Sequence, residues 1–286
     1  MKTIIKSFIA ILICGFVLMG YTKSTSIKNI ILIQSVDKTV SSVSLKRSVV
    51  IISNRLKALS SEKYEVKAIP EKNQIKVVLG DQSDLSTIET LLTHKGKLEF
   101  YATYQHQQLS ELLNDDNHLF SLLGTENVSK TVTWVGFSSI ADRKKTDDYL
   151  KTLKLNGKIK FVWGLPEENG EVCLYALQLE GQKGASFTGA DIENASSDKT
   201  KNGKLNFIGL QFKKPSIDLW ADFTKHNIKN AIAIVLDDNV LCAPVLRSVI
   251  EKGSCSITGG FTEAQAKNIA IIINNGVLPV NFKIVK

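Results

Sequence analysis

The sequence predicts an α+β fold arranged as two lobes. Two observations carry that prediction. Ahead of Tyr104, the apolar residues follow the order strand, helix, strand, strand, helix, strand. From residue 158 onward, a second series of short alternating strands is interrupted by two amphipathic helices. The chain has 286 residues, 43% hydrophobic and 22% charged. That is enough length for one large or two small domains, with the composition of a packed globular protein.

In the first lobe, residues 30–36 form a short apolar strand. Leu45, Val49, Ile52, Leu56 and Leu59 recur at spacings of four and three, which places them on one helix face. Val66 and Ala68 precede Pro70-Glu71-Lys72-Asn73, whose residue types make a turn and join two strands as a hairpin. Ile75, Val77 and Leu79 alternate as a half-buried strand does. Leu85, Ile88 and Leu92 mark a second helix, and Leu98, Phe100 and Ala102 the last strand. The order βαββαβ is that of the ferredoxin-like arrangement, so residues 27–104 are expected to form a base domain of that kind. Residues 105–157 are polar and include Asp115-Asp116-Asn117 and Asp142-Arg143-Lys144-Lys145. They are read as an insertion with short helices near 107–113 and 146–153.

Residues 158–277 are expected to form a second α+β domain, followed by a closing strand over 280–285. Phe161-Val162-Trp163-Gly164 and Leu174-Tyr175-Ala176-Leu177 are strands on either side of the polar turn 166–170. Residues 192–197 and 206–212 are strands around a Lys-rich loop. Pro215 suits the first turn of a helix whose apolar face holds Leu219 and Phe223. Strands at 231–236 and 240–245 flank Asp237-Asp238-Asn239, a tight hairpin turn. Residues 254–258 form another strand. Thr262 and Gln265 make a capping box for the final helix, with Ala266, Ile269, Ala270 and Ile273 as its buried stripe and Gly276 at its end.

The net charge is +8, but the lysines are scattered, without a basic stripe interleaved with aromatics. Nucleic acid is therefore not an expected partner. Lys2 and Lys6 precede an uncharged run over 7–22, closed by Lys23. Residues 1–24 read as a signal peptide or a membrane anchor. As a helix the run spans roughly 24 Å, short of a bilayer core of about 30 Å. Cys14 follows Ile13, where a lipidation site needs a small residue. Export to the periplasm is expected, with membrane contact only through this segment. Cys242 and Cys255 lie on neighbouring predicted strands, either as a disulfide or as small buried apolar residues.

Enzymatic chemistry finds no constellation. His94, His106, His118 and His226 lack metal-ligand spacing and read as solvated surface residues. Asp237-Asp238 is turn chemistry. Gly259-Gly260 lacks the residues of a phosphate loop and allows a sharp strand-to-helix turn. A non-enzymatic protein without metal or cofactor is expected.

Five motifs occur in order over about ninety residues. They are Phe187-Thr188-Gly189-Ala190-Asp191-Ile192, Ile232-Ala233-Ile234-Val235-Leu236-Asp237, Ala243-Pro244-Val245, Ile257-Thr258-Gly259-Gly260-Phe261-Thr262 and Gly276-Val277-Leu278-Pro279. The series resembles the first large periplasmic domain of SecD, in SecD and SecDF export proteins. Asn54-Arg55-Leu56-Lys57-Ala58-Leu59 resembles a SecD helix end, with Ser60 where that family commonly has glycine, and Lys97-Leu98-Glu99-Phe100 resembles the strand that follows. The insertion and the strands beside it look like those of Bacteroidetes-type relatives.

The resemblance implies a base plus a head subdomain, with 158–277 as the head and 278–286 as a strand returning to the base. Thr188, Gly189, Asp191, Asp237, Pro244, Gly259, Gly260 and Pro279 then stand as structural motif residues. It implies protein translocation beside SecYEG and SecF-type components, with the domain gripping unfolded or emerging polypeptide. Gripping an unfolded chain needs exposed apolar surface or open strand edges, for which Phe187, Phe207, Trp220 and Phe261 are the candidates, although each reads more readily as a core residue. Proton coupling in that family depends on charged residues within membrane helices, so this chain is not expected to couple protons by itself. The alternative is a periplasmic scaffold or adaptor that reuses the domain with no role in export.

Overall fold

A computed structural model describes residues 29–59, 64–80, 84–113, 118–124, 133–155, 157–167, 169–180 and 184–285. The expected signal or anchor segment, Cys14, Ser60 and Asp115-Asp116-Asn117 lie outside the described residues. The first elements follow the periodicity: β1 (Asn29–Ser35), α1 (Ser42–Leu59), β2 (Tyr64–Ile69), β3 (Gln74–Leu79), α2 (Leu85–Thr93) and β4 (Leu98–Ala102). Asn73, at φ 50°, closes the β2–β3 hairpin in the left-handed region that asparagine tolerates. Asp84 caps α2 by accepting from the Ser86 amide.

The next stretch supplies α3 (His106–Leu112), α4 (His118–Ser121), β5 (Gly136–Ser139) and α5 (Arg143–Leu150). These pack with β6 (Ile159–Trp163) and β7 (Glu171–Gln178) around Leu109, Leu119, Trp163 and Leu174. Then follow β8 (Phe187–Thr188), β9 (Ile192–Lys199), β10 (Asn206–Phe212), α6 (Lys214–His226), β11 (Ile232–Leu236), β12 (Asn239–Cys242), β13 (Ser254–Thr258), α7 (Glu263–Asn275) and β14 (Phe282–Val285).

The described strands form four antiparallel sheets, ordered β14-β1-β3-β2, β12-β11-β4-β8, β5-β7-β6 and β13-β10-β9. The base sheet has the strand order of a ferredoxin-like sheet, with one exchange. The place beside β1 belongs to β14, which pairs Ser35 with Phe282 and Leu32 with Val285. The βαββαβ order by itself assigns that place to β4. Instead β4 pairs with β11, Phe100 opposite Ile234. Burial explains the exchange. All five residues of β4 are buried, which a central strand between two layers satisfies and an edge strand does not. Phe282 enters the base core with Ile33, Ile52, Ile75, Val77 and Leu92.

The head core gathers β4, β8, β10, β11, α6 and α7 around an aromatic cluster. Trp220 stacks on Phe212 at 4.3 Å between ring centroids and meets Phe187 and Phe100 edge-on at 5.3 and 5.5 Å. Helix α7 is apolar on two faces because it is packed on both. Ala266, Ala270 and Ile273 enter the head core, while Ile271 and Ile272 meet Leu91 of α2 and Leu59 of α1. Its capping box is formed as the sequence predicts, Gln265 N donating to Thr262 Oγ1 and Thr262 N to Gln265 Oε1.

Candidate functional site

Base and head meet at one buried charge. Arg55 of α1 is fully buried and donates four hydrogen bonds to backbone carbonyls. Nη1 reaches Leu91 O at 2.9 Å and His94 O at 2.6 Å, and Nη2 reaches Lys95 O at 3.1 Å and Gly276 O at 2.9 Å. The planar fork serves the end of α2, the loop before β4 and the end of α7 together. Burial pushes the guanidinium pKa down to about 10, with the Asp237 charge holding it up, so it stays cationic at neutral pH. Gly96, at φ 86°, lies against it. A Cβ there would stand 2.7 Å from Arg55 Nη2 and 2.9 Å from Ile272.

Asp237 completes the junction from the head side. It sits at φ 49° and Asp238 at φ 60°, the double left-handed turn that a two-residue hairpin requires. Its Oδ1 accepts from Gly96 N at 2.8 Å and Lys97 N at 2.7 Å, and His94 Nδ1 stands 3.4 Å from Oδ2. Burial works to raise the Asp237 pKa. The His94 imidazole and the two amides together outweigh burial, so the carboxyl titrates below its ordinary range. A carboxyl depressed in the folded state contributes stability above the unfolded pKa, and that contribution is lost as pH falls through the folded value. Stability is therefore expected to drop on acidification below about pH 4. Asp237→Asn should flatten that part of the profile and lower stability at pH 7 by about 1–3 kcal/mol. Urea unfolding between pH 3 and 7 checks both.

Two adjoining clefts open beside this junction. The larger, about 720 Å3, lies between the β6–β7 loop at Leu165, Pro166 and Glu167, strand β12 at Val240 and Leu241, and the Gly259-Gly260-Phe261 loop. The smaller, about 420 Å3, runs between Thr87 and Thr90 of α2 and Asn268, Ile269 and Ile272 of α7. Leu165, Leu241, Phe261 and Gln265 line both. Leu165 is 42% exposed, an apolar side chain at an open surface. A Cβ at Gly259 would stand 2.9 Å from the Phe261 ring, so the glycine lets that ring fold back over its own loop.

The four candidate gripping residues are not brought together. Phe187 and Trp220 are 7% and 2% exposed within the aromatic cluster. This corrects the expectation of surface rings, because the head core needs both. Phe207 is half-buried on the face of β10 opposite Ile208 and Leu210. Phe261 alone of the four lines the clefts.

The motif residues sit at turns and junctions. Thr188 N donates to Asp191 Oδ2 at 2.9 Å, and Ser216 donates to Asp191 Oδ1 at 2.9 Å, which ties the start of β9 to α6. Pro244 O accepts from Ile232 N. Gly260 has open space around it, and Pro279 is exposed between the buried Leu278 and Val280. Among the described residues no group of His, Cys, Asp or Glu is placed to hold a metal.

Cys242 and Cys255 are free thiols. Burial pushes both pKa values up to about 12, the neighbouring Cys242 adding to the shift at Cys255. Both should react with a thiol reagent at pH 8 roughly a hundredfold or more slowly than a free cysteine, because the thiolate is the nucleophile. Alkylation rates with and without urea check this, and the intact mass without reductant is expected to be that of the free thiols.

Sequence reasoning missed Arg55, Gly96 and Asn268. Only Arg55 had a signal, its place in the Asn54-Arg55-Leu56 motif.

Residues 175–280 match the family described as SecDF, P1 head subdomain. The protein translocase subunit SecD of Mycobacterium tuberculosis is 36% identical over 100 residues, covering 34% of this chain and 18% of the relative. SecD of Desulfurispirillum indicum is 27% identical over 180 residues, covering 60% of this chain and 35% of the relative. The matched stretches thus span well under half the length of these relatives. Among solved structures, SecDF in a super-membrane-facing form aligns over 91% of this chain and 30% of its own, at TM-score 0.58 and 20% identity. A second, of a SecDF described as a membrane component that enhances protein export, aligns over 90% of this chain and 98% of its own, at TM-score 0.55 and 21% identity. The fold described above is therefore shared with these SecDF structures along most of the chain, and residues 175–280 are the stretch that resembles the SecDF P1 head subdomain.

Proposed function

We propose that this chain is a non-enzymatic, periplasmic accessory of Sec-dependent protein translocation that binds unfolded or emerging polypeptide. The observation that supports it is the pair of clefts, whose shared lining is Leu165, Leu241, Phe261 and Gln265. An open groove with Leu165, Leu241 and Phe261 along its shared stretch suits an extended chain of variable sequence, because apolar contact is non-directional and demands no particular side chain. The relatives named SecD and SecDF suggest SecYEG and SecF-type components as partners. Among the described residues no helix is long and apolar enough to cross a membrane.

Anisotropy of a fluorescent, reduced and unfolded polypeptide tests the reading. The chain is expected to bind it, and the same polypeptide in its folded form to bind far less. Leu165→Ser with Phe261→Ser should weaken binding roughly tenfold or more, since each removes a buried apolar contact of about 1.5–3 kcal/mol. Equal affinity for folded and unfolded forms, or indifference to both substitutions, would favour the scaffold role instead.

A further inference from the structure

An open sheet edge offers a row of main-chain N–H and C=O groups, so folded proteins blunt their edges with charge, brevity or cover. Three of the four described sheets follow that rule at both edges. Strands β2, β14 and β6 carry Lys67, Lys283 and Lys160. Gly124 and Gly164 bridge β5 and β12, and β8 is two residues long. The head sheet β13-β10-β9 is blunted on one side only. On β9 the side-chain amide of Asn274 seals Ala195 as a neighbouring strand would. Ala195 N donates to its Oδ1 and its Nδ2 donates to Ala195 O, both at 2.7 Å. Lys199 N is also taken, donating to Asp198 Oδ1 at 2.7 Å. Strand β13 has neither charge nor seal, and its Ser254, Ser256 and Thr258 are exposed. Phe212 N donates to Gly253 O at 2.7 Å, which sets the alternation of the ladder. Cys255 and Ile257 bond to β10, so the main chain of Ser254, Ser256 and Thr258 points away from it. The main-chain groups of Ser254 and Ser256 make no hydrogen bond to any other described residue.

We propose that the edge of β13 takes up an extended polypeptide as an added strand, which exchanges main-chain hydrogen bonds with Ser254 and Ser256. This rests on the polypeptide-binding reading above and names its recognition mode. Two features fix the occupant. Alternating donors and acceptors along a strand match another extended main chain. Strand β13 also runs directly into Gly259-Gly260-Phe261, so the added strand continues into the larger cleft. The side chains beside it, Ser254, Ser256 and Thr258, are short and uncharged, so pairing places little demand on sequence. A folded protein is a poor partner, because its main-chain groups are already paired.

Residue-resolved amide hydrogen exchange of the whole protein tests this, with a reduced, unfolded polypeptide as the probe. The Ser254 and Ser256 amides are expected to exchange fast in the free protein. Near saturation with the polypeptide they should slow about tenfold or more, while the Ala195 amide, held by Asn274, stays unchanged. Ser256→Pro removes the outward donor and no bond to β10, a position where a strand tolerates proline. It is expected to weaken polypeptide binding about fivefold or more, and Ser256→Ala to bind as wild type does. Should Ser256→Pro fail to fold, a short unstructured peptide and its fully N-methylated form replace it, the methylated form binding wild type about fivefold or more weakly. Bound polypeptide with Ser254 and Ser256 still exchanging fast overturns the proposal, as does a folded Ser256→Pro that binds normally. Protection that rises with protein concentration alone assigns the edge to a second copy and overturns it too. If Phe261→Ser weakens binding while the two amides stay unprotected, only strand addition fails. If wild type binds no unfolded chain, the wider functional reading fails with it.

Discussion

Arg55→Met is expected to lower the unfolding free energy by about 3–5 kcal/mol, the range for removing one partner of a buried charged network. Methionine keeps an apolar stem of comparable reach and removes every donor. Leu91 O, His94 O, Lys95 O and Gly276 O then lose the guanidinium they share. Each orphaned carbonyl costs about 1–3 kcal/mol unless water reaches it, so the lower end assumes partial hydration of the junction. Arg55→Lys should recover only a fraction, because an ammonium is a point charge without a planar fork. Urea unfolding by circular dichroism measures the loss. Hydrogen exchange locates it, with faster opening expected over residues 94–97 and at the end of α7. A loss under 1 kcal/mol, or exchange unchanged in that loop, would rule out Arg55 as the tie between base and head.

Trp220→Ala should cost a similar amount, about 3–5 kcal/mol, through the cavity it leaves in the head core. The ring is 2% exposed and meets Phe100, Phe187, Phe212 and Phe223 within 5.9 Å between centroids. Aromatic pairs add about 0.5–1.5 kcal/mol each beyond their burial. Trp220→Phe is expected to cost much less, about 1–2 kcal/mol, because indole Nε1 has no hydrogen-bond partner to lose. Equal losses for the two substitutions would show that ring packing alone does not hold this core together. The same pair separates folding from gripping. Trp220→Ala should lower stability far more than Phe261→Ser, and Phe261→Ser should weaken polypeptide binding far more than it lowers stability.

Much of the element order was legible because it is local. The four-and-three spacing in α1, the alternation in β3 and the capping box of α7 each state their structure within a few residues. Partner choice was not local. Strands β4 and β14 both read as short apolar runs, and nothing within either says which lies beside β1. Burial on both faces decides it, and that depends on layers made by distant residues. The junction was hidden for the same reason. Asp237 read correctly as a turn residue, yet its carboxylate serves amides about 140 positions away. The acceptors of Arg55 are backbone carbonyls, which carry no side-chain signature. Asn268 falls off the stripe of Ala266, Ile269, Ala270 and Ile273, and nothing within the helix states that it is buried.

The pairing of β1 with β14 has a mechanical consequence. The strands are antiparallel, so the chain enters at residue 29 and leaves at residue 285 from the same pole of the base sheet. Tension applied between those two points would peel β14 from β1 one hydrogen bond at a time, like a zipper. The load would be borne by that seam first, while the clefts and the aromatic core stayed slack until it had opened.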